Sequence, residues 1–275
     1  MKDAKWGPAE AIHDIDWSQP WLSHVAVAGQ AVLADWALSD GPLFASLNRV
    51  LDAPVQFVHQ DALGPQTPYE AHVAKHDQVP TRDNLHDFFN ALSWAAWPHA
   101  KSQFNRFHAH ALSTNPEEPR RRGPVRDALT LLDENGAVLI APDAIWRALR
   151  AHDWHSALVH ARSVWQTAQL WLVGHALMQQ LTQPRKGLTS HVWLMDKDIN
   201  AWAWAQLSAG HASESVRVEL DRLWAKAISA DRVALKPFTP LPVLGVPGWW
   251  LPNSDPAFYA DDSVFRPKRD KSTLE

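Results

Sequence analysis

The clearest structural signal in the sequence is a pair of helices that meet at Pro98. Over residues 84–97, apolar side chains recur at i, i+3, i+4, i+7 and i+11, a spacing that places them on one face of a helix: Leu85, Phe88, Phe89, Leu92 and Ala96. Pro98 should end this helix and open a second one to about residue 112, because proline is tolerated only in the first helical turn. We therefore expect a helical pair over residues 84–112.

Other patterns along the chain predict an α+β protein, mostly helical with a small antiparallel sheet. Residues 128–141 hold two β-prone runs around Asp-Glu-Asn-Gly, which indicates a hairpin because Asn-Gly supplies the positive φ angles of a tight turn. Strands are also expected at 55–59 and 190–195. The tail, residues 236–275, is too rich in proline for regular structure and should wrap over the core, anchored by aromatic rings. Further helices are expected at residues 20–37, 43–51, 68–76, 143–150, 155–166 and on to 181, 200–208 and 214–229.

Length and composition bound the class of protein. The 275 residues, 46% of them hydrophobic, fit one globular domain over residues 1–275, with a weak internal boundary at the polar loop 115–124. The chain has no Cys, which excludes disulfide scaffolds, Cys-ligated zinc, iron–sulfur clusters and cysteine nucleophiles. A net charge of −4 provides no global attraction to nucleic acid or to an anionic membrane.

The longest uncharged run, residues 163–184, has to be judged as a membrane span. It carries five glutamines and His175, each of which is costly in lipid without a partner. The N-terminus is charged throughout and lacks the apolar core of a signal peptide. We therefore expect no membrane span and a soluble, cytoplasmic protein, in keeping with the absence of Cys.

The polar faces of the two helices carry the candidate site. His86, Asp87, Asn90 and Trp94 lie opposite the apolar stripe of the first helix. On the second helix a row at i, i+4 and i+7 lies beside the apolar stripe and consists of Lys101, Asn105 and His108. If the helices pair across Pro98, these side chains meet in a polar cleft.

Such a cleft has the groups that acid–base or metal chemistry needs, and it favours a hydrolase-type enzyme for an anionic or phosphorylated small molecule. His86 and His108 would be acid–base groups or metal ligands, Asp87 would orient or ligate, and Lys101 would stabilise negative charge. Substrate-binding roles are predicted for Asn90, Asn105, Trp94 and Arg126.

Two versions of this hypothesis stay open. In one, a divalent metal binds His86 and Asp87, with further ligands from His72, His76, His108 or Asp127. In the other, His86 or His108 is a metal-free general base for an anionic substrate. The alternative class is a non-catalytic binding or interaction protein in which the polar cluster is a structural network.

Other features have a simpler structural interpretation beside the functional one. Residues 120–122, three arginines, could bind phosphate, although Glu117 and Glu118 beside them favour a solvated loop. Asp133 is expected in the turn of the hairpin. His175 is expected to be a satisfied core histidine on an apolar helix.

Several longer motifs resemble one known family. PTRDNLHDFFNALSWAAWPHAKSQFN, GPVRDALTLLDENG, KGLTSH and LPVLGVPGWWLPNSDPAFYADDSVFRP occur in this order. Together they resemble the bacterial family of the domain of unknown function 3025, over about residues 55–267. Leu85 stands where that pattern often has an aromatic residue, a difference that affects packing and leaves the polar face unchanged. The resemblance implies a bacterial source and a single family domain, and it implies no reaction.

Overall fold

The computed structural model describes residues 9–114 and 123–268, and from residue 11 onward it describes the side chains as well. The expected class is confirmed, because the described chain is mostly helical with small sheets. The α-helices are α1 Ala26–Ala37, α2 Leu43–Val50, α3 Tyr69–His76, α4 Leu85–Ala96, α5 Pro98–Ser113, α6 Pro124–Asn135, α7 Asp143–Ala151, α8 His175–Gln180, α9 Lys197–Ser208, α10 Ser213–Ala227 and α11 Ala230–Ala234.

Shorter helical turns connect these elements. His155–His160 forms a π-helical turn. The 3₁₀ turns are Ala9–Ile12, Pro20–Leu22, Gln60–Ala62, Val164–Thr167, Val243–Gly245, Leu251–Ser254 and Pro256–Ala260. The helix expected over residues 20–37 is therefore a 3₁₀ turn followed by α1. Among the described residues, no helix is long and apolar enough to cross a membrane.

The helical pair at Pro98 is confirmed as α4 and α5. Asn84 caps α4, because its side-chain oxygen accepts a hydrogen bond from the Asp87 N–H at 2.8 Å. Pro98 occupies the first turn of α5, where a missing N–H costs nothing. All five residues of the apolar stripe are buried.

Two sheets accompany the helices. β1 (Gln56–His59) confirms the strand expected at 55–59, and it pairs in parallel with β2 (Gln78–Thr81). The sequence did not signal β2, because Pro80 interrupts its run. The second sheet has the order β4-β3-β5-β6, formed by Gln169–Leu172, Gly136–Ile140, Thr189–Trp193 and Phe238–Pro242. Its central pair, β3 with β5, is parallel, and its two outer pairs are antiparallel. The expected small antiparallel sheet is therefore a mixed sheet.

The hairpin expected over residues 128–141 is wrong. Pro124 opens α6, which continues through Asn135, and only the second run of that segment is a strand, β3. The first run is helical because Ala128, Leu129 and Leu132 share one face and are all completely buried. The segment 133–136, expected as a turn, is the end of α6 and the first residue of β3.

Two other expectations need correction. The helix expected to continue to residue 181 is interrupted by β4, which pairs antiparallel with β3 before the chain returns as α8. The tail is not wholly irregular, because β6 adds an antiparallel strand to β5. Of the weak boundary expected at residues 115–124, residues 115–122 lie outside the described part of the chain.

Close packing between α6 and α8 brings their polar ends together. A Cβ atom on Gly174, the residue before α8, would lie 2.5 Å from the Cα and N of Asn135 and 2.5 Å from the Glu134 carbonyl oxygen. Only glycine allows this approach. The first residue of α8, His175, consequently lies beside Asp133 on α6.

Candidate active site

Side chains of α3, α4, α5, α6 and α8 surround a cavity of about 340 Å³. Most of the residues that the sequence singled out line it, and each of these except Asn105 is at least nine-tenths buried. They are His86, Asp87, Asn90, Trp94, Lys101, Asn105 and His108. Pairing of α4 with α5 thus produces a polar cavity where the helical phases placed one.

Lys101 is the central cation of the cavity. Its side chain is 3% exposed, and its ammonium nitrogen donates to Asn90 Oδ1 at 3.0 Å and to a carboxylate oxygen of Asp133. An ammonium can only donate, which fixes the orientation of the Asn90 amide. The Asn90 nitrogen donates in turn to the hydroxyl oxygen of Tyr69 at 3.0 Å. Lys101 also lies 5.3 Å from the centre of the Trp94 ring.

Asp133 is the counter-ion of this group. Burial raises the pKa of its carboxyl group, but the charges of Lys101, His175 and His108 and the hydrogen bond from Lys101 together lower it to about 2. Asp133 is therefore ionised at neutral pH. One of its oxygens lies 3.7 Å from His175 Nδ1.

Two histidines continue the row from Asp133. His175 Nε2 lies 3.1 Å from His86 Nε2, and His86 Nδ1 lies 2.9 Å from Gln179 Oε1. Burial lowers the pKa of His175 to about 3; the Asp133 charge opposes this shift, and Lys101 and His86 add to it. His175 is consequently an uncharged imidazole between a carboxylate and a second imidazole.

His108 is the third histidine of the cavity, and like His175 it has a buried Nδ1 atom without a hydrogen-bond partner among the described residues. It is 6% exposed. Burial lowers its pKa, while Glu70 and Asp133 act in the opposite direction. The indole N–H of Trp94, a residue 4% exposed, is also buried without a partner in the described structure. Unpartnered buried polar atoms beside a cavity are typical of a binding site.

The carboxylate of Asp87 is occupied by hydrogen bonds from Arg82. It accepts hydrogen bonds from the backbone N–H of Arg82 at 2.8 Å and from the Arg82 guanidinium at 2.9 and 3.1 Å. Together with the Asn84 cap, these contacts fix the start of α4. Both carboxylate oxygens of Asp87 are engaged, so its predicted catalytic or ligating role has no support from its contacts.

Two residues predicted to bind substrate have a different position or contacts: Asn105 bonds to the backbone of α3, and Arg126 does not line the cavity. In the amide orientation that satisfies both partners, Asn105 donates to the Glu70 carbonyl and accepts from the Ala74 N–H, each at 3.0 Å, which ties α5 to α3. Arg126 lies in the first turn of α6 and is not among the residues that line the cavity.

A metal site needs several ligands around one position. Within residues 9–114 and 123–268, no group of three or more His, Asp or Glu side chains is arranged to hold a metal ion. The rings of His72 and His76 lie 4.9 Å apart between their centroids and are tilted by 45°, and neither residue lines the cavity. Asp127 does not line it either. Within the described residues, the candidate ligands His86, Asp87 and His108 are therefore not grouped around one metal position.

Three polar side chains that contact the predicted site residues in the cavity were not predicted as site residues: Tyr69, Asp133 and His175. Asp133 was hidden by the hairpin interpretation, although as a helix residue it lies one position after buried Leu132. His175 was interpreted as a core histidine on a largely apolar helix, and only the approach at Gly174 brings it to Asp133. Tyr69 has no local signal, since its contact with Asn90 depends on the packing of α3.

The fold and the cavity define a mostly helical α+β protein with a buried, histidine-rich pocket between helices. The chain belongs to the family described as "protein of unknown function (DUF3025)", whose model matches residues 55–269. This match confirms the resemblance found in the sequence motifs. No curated protein and no solved structure matches the chain.

Proposed function

We propose that this protein is a hydrolase-type enzyme that binds a small molecule in the cavity and uses His108 as its acid–base group. The observation that carries the proposal is the environment of His108. The ring lines the cavity, is almost completely buried, and makes no hydrogen bond with the described residues. The Nδ1 atom is therefore available to a bound molecule.

Buried polar atoms without a partner are costly, although in the described structure they also occur away from the cavity, as at Trp193 and Trp224. Leaving a buried polar atom without a partner costs about 1–3 kcal/mol, so structural networks usually satisfy all their members. Here the chain leaves both His108 Nδ1 and Trp94 Nε1 unsatisfied beside the same cavity. A bound substrate or water that satisfies them explains this arrangement directly.

The proposed hydrolytic step uses three side chains of the cavity: His108, Lys101 and Asp133. Because burial lowers its pKa, His108 is uncharged at neutral pH and can accept a proton from an attacking water. The water oxygen then bonds to the electrophilic centre of the substrate, and His108 returns the proton to the leaving group as that bond breaks. Lys101 stabilises the negative charge that develops, and Asp133 keeps the lysine in place.

The contacts favour the metal-free version of the hypothesis. They do so because Asp87 is bound by Arg82 and because the described side chains offer no set of three metal ligands. A cytoplasmic location and a bacterial source remain part of the proposal; they rest on the missing Cys and on the family. The sequence predicted an anionic or phosphorylated substrate, whereas the charges of the cavity lining favour an uncharged one.

The second candidate is a non-catalytic binding protein. It is favoured by two groups of contacts, Gln179–His86–His175 and Lys101–Asp133, since they can simply hold α4, α5, α6 and α8 together. The two groups lie 3.7 Å apart, between His175 Nδ1 and Asp133. In that case the cavity would bind a ligand without transforming it.

The decisive experiment compares His108→Ala with His110→Ala. His110 lies on the same helix but is exposed, so it is the matched control. Wild type and both variants are assayed against the 4-nitrophenyl ester of acetate, 4-nitrophenyl phosphate and the 4-nitroanilide of acetate, with circular dichroism as the folding check. We expect His108→Ala to lower kcat for the accepted substrate at least 100-fold. Equal turnover by the two variants, or no turnover by wild type, contradicts the proposal.

A further inference from the structure

We infer that the cavity takes a molecule with an uncharged carbonyl group, such as an amide or an ester, and discriminates against a phosphate dianion. The inference rests on the proposed function and specifies its substrate class. It follows from two independent properties of the lining residues, namely their hydrogen-bond donors and their net charge.

The first property is a group of hydrogen-bond donors around Asn90 that have no acceptor among the described residues. Since Lys101 fixes the amide orientation, the Asn90 nitrogen donates to the Tyr69 oxygen, and the Tyr69 hydroxyl hydrogen has to point to another acceptor. Lys101 has three N–H groups, and its partners among the described residues account for two.

Trp94 supplies a further donor. Its indole N–H has no partner in the described structure, and its ring lies beside Lys101. Three neighbouring side chains of one cavity thus have a hydrogen to donate and no acceptor in the described chain to receive it. A carbonyl oxygen accepts two or more hydrogen bonds and fits such a group, and the donors become stronger partners as negative charge develops on that oxygen.

The second property is the charge of the lining. Four carboxylates face two cations, an excess of two negative charges when the histidines are counted as uncharged: Glu70, Asp87, Asp133 and Glu134 against Arg82 and Lys101. Both cations are already bonded to carboxylates, Arg82 to Asp87 and Lys101 to Asp133. Even when Arg126, whose charge reaches His108, is counted with the cations, four carboxylates face three cations. A phosphate dianion would therefore meet an excess of negative charge, which does not repel an uncharged carbonyl group.

The cavity volume suits a small aromatic probe. An apolar cavity of about 150 Å³ is enough for benzene, and this one measures about 340 Å³, with Trp94 and Phe104 in its lining. Benzamide, benzoate and phenyl phosphate therefore form a matched series, because they share one ring and differ in the charge of the attached group.

The test measures binding of the three probes by the indole N–H resonances of ¹⁵N-Trp protein, with the Trp94 signal assigned from Trp94→Phe. We expect benzamide to shift the Trp94 signal with a Kd at least tenfold lower than that of phenyl phosphate, and benzoate to lie between them. Tyr69→Phe, which removes only a hydroxyl group, should weaken benzamide at least threefold, whereas the control His110→Ala should leave its Kd unchanged.

Two outcomes overturn the inference: phenyl phosphate binds as tightly as benzamide, or none of the probes shifts the Trp94 signal. The outcomes for the function are separate. If hydrolysis depends on His108 but phenyl phosphate has a lower Kd than benzamide, the substrate class is wrong and the enzyme proposal stands. If benzamide binds best but His108→Ala changes no turnover, the substrate class stands as a ligand class and the enzyme proposal is wrong.

Discussion

The Nε2 atoms of His86 and His175 lie 3.1 Å apart, so one ring donates the hydrogen that the other accepts. The tautomers of the two rings are therefore coupled, and Asp133 at 3.7 Å and Gln179 at 2.9 Å lie at the two ends of the pair. The four residues come from three helices, α4, α6 and α8. The arrangement can therefore form only when these helices are packed together.

The coupled pair predicts loss of stability in acid. Burial lowers the pKa of His175 to about 3 in the folded protein, while the unfolded value is about 6.5. The unfolded state thus binds more protons between these values, so the free energy of unfolding falls as the pH drops from about 6.5 toward 3. His24, whose pKa is lowered to about 3 by burial and by the charge of Arg217, adds to the same slope.

Urea denaturation from pH 7 to pH 4 measures this slope. His175→Gln should reduce it by up to about 1.4 kcal/mol per pH unit, the value for one titrating group. The exposed His211→Ala is the control and should keep the wild-type slope. An unchanged slope in His175→Gln would show that His175 is protonated in the folded protein.

The Lys101–Asp133 pair predicts a strong asymmetry between single and double variants. Lys101→Met leaves the Asp133 carboxylate without its cation, which should lower the free energy of unfolding by about 3 kcal/mol. Adding Asp133→Asn removes the stranded charge and should restore part of that loss. The exposed pair Arg222–Glu219 is the comparison, where removal of Arg222 should cost less than about 1 kcal/mol. Additive effects of the two substitutions in a double-mutant cycle would contradict the coupling.

The sequence predicted the centre of this molecule better than its periphery. The apolar stripe of α4 and the proline at the start of α5 are local signals, and both helices and most of the candidate side chains follow from helical phase alone. The parallel partner of β1 and the strand β4 have no such signal, because each is a run of four residues that depends on its neighbours in the sheet.

The chemical role of each site residue was harder to predict than its position. Asp87 and Asn105 share the face or the row of the other candidates, yet Arg82 and the backbone of α3 satisfy them. Asp133 and His175 reach the cavity from segments 32 and 74 residues beyond Lys101 in the sequence. Helical phase assigns residues to a face, but the partner that a polar group finds there depends on tertiary packing.

Asp87 provides a prediction that separates a structural residue from a catalytic one. Asp87→Asn weakens the contacts with the Arg82 guanidinium and should lower the free energy of unfolding by about 2 kcal/mol, because hydrogen bonds to charged groups contribute this much. The kcat of the folded variant should stay within threefold of wild type. Urea denaturation and the hydrolysis assay check the two parts, and a large fall in kcat at unchanged stability would make Asp87 catalytic.

Gly174 predicts that the site depends on a backbone contact. A Cβ there would lie 2.5 Å from backbone atoms of Glu134 and Asn135, which cannot move aside as a side chain can, so Gly174→Ala should force α8 away from α6. We expect a loss of about 2 kcal/mol or more in the free energy of unfolding and weaker hydrolysis, because His175 leaves Asp133. Gly41→Ala is the matched control, since no atom lies within 4 Å of its Cβ position, and its stability should stay within about 0.5 kcal/mol of wild type. Equal urea midpoints for the two variants would contradict the prediction, because they would show that α6 and α8 have room for a Cβ atom at position 174.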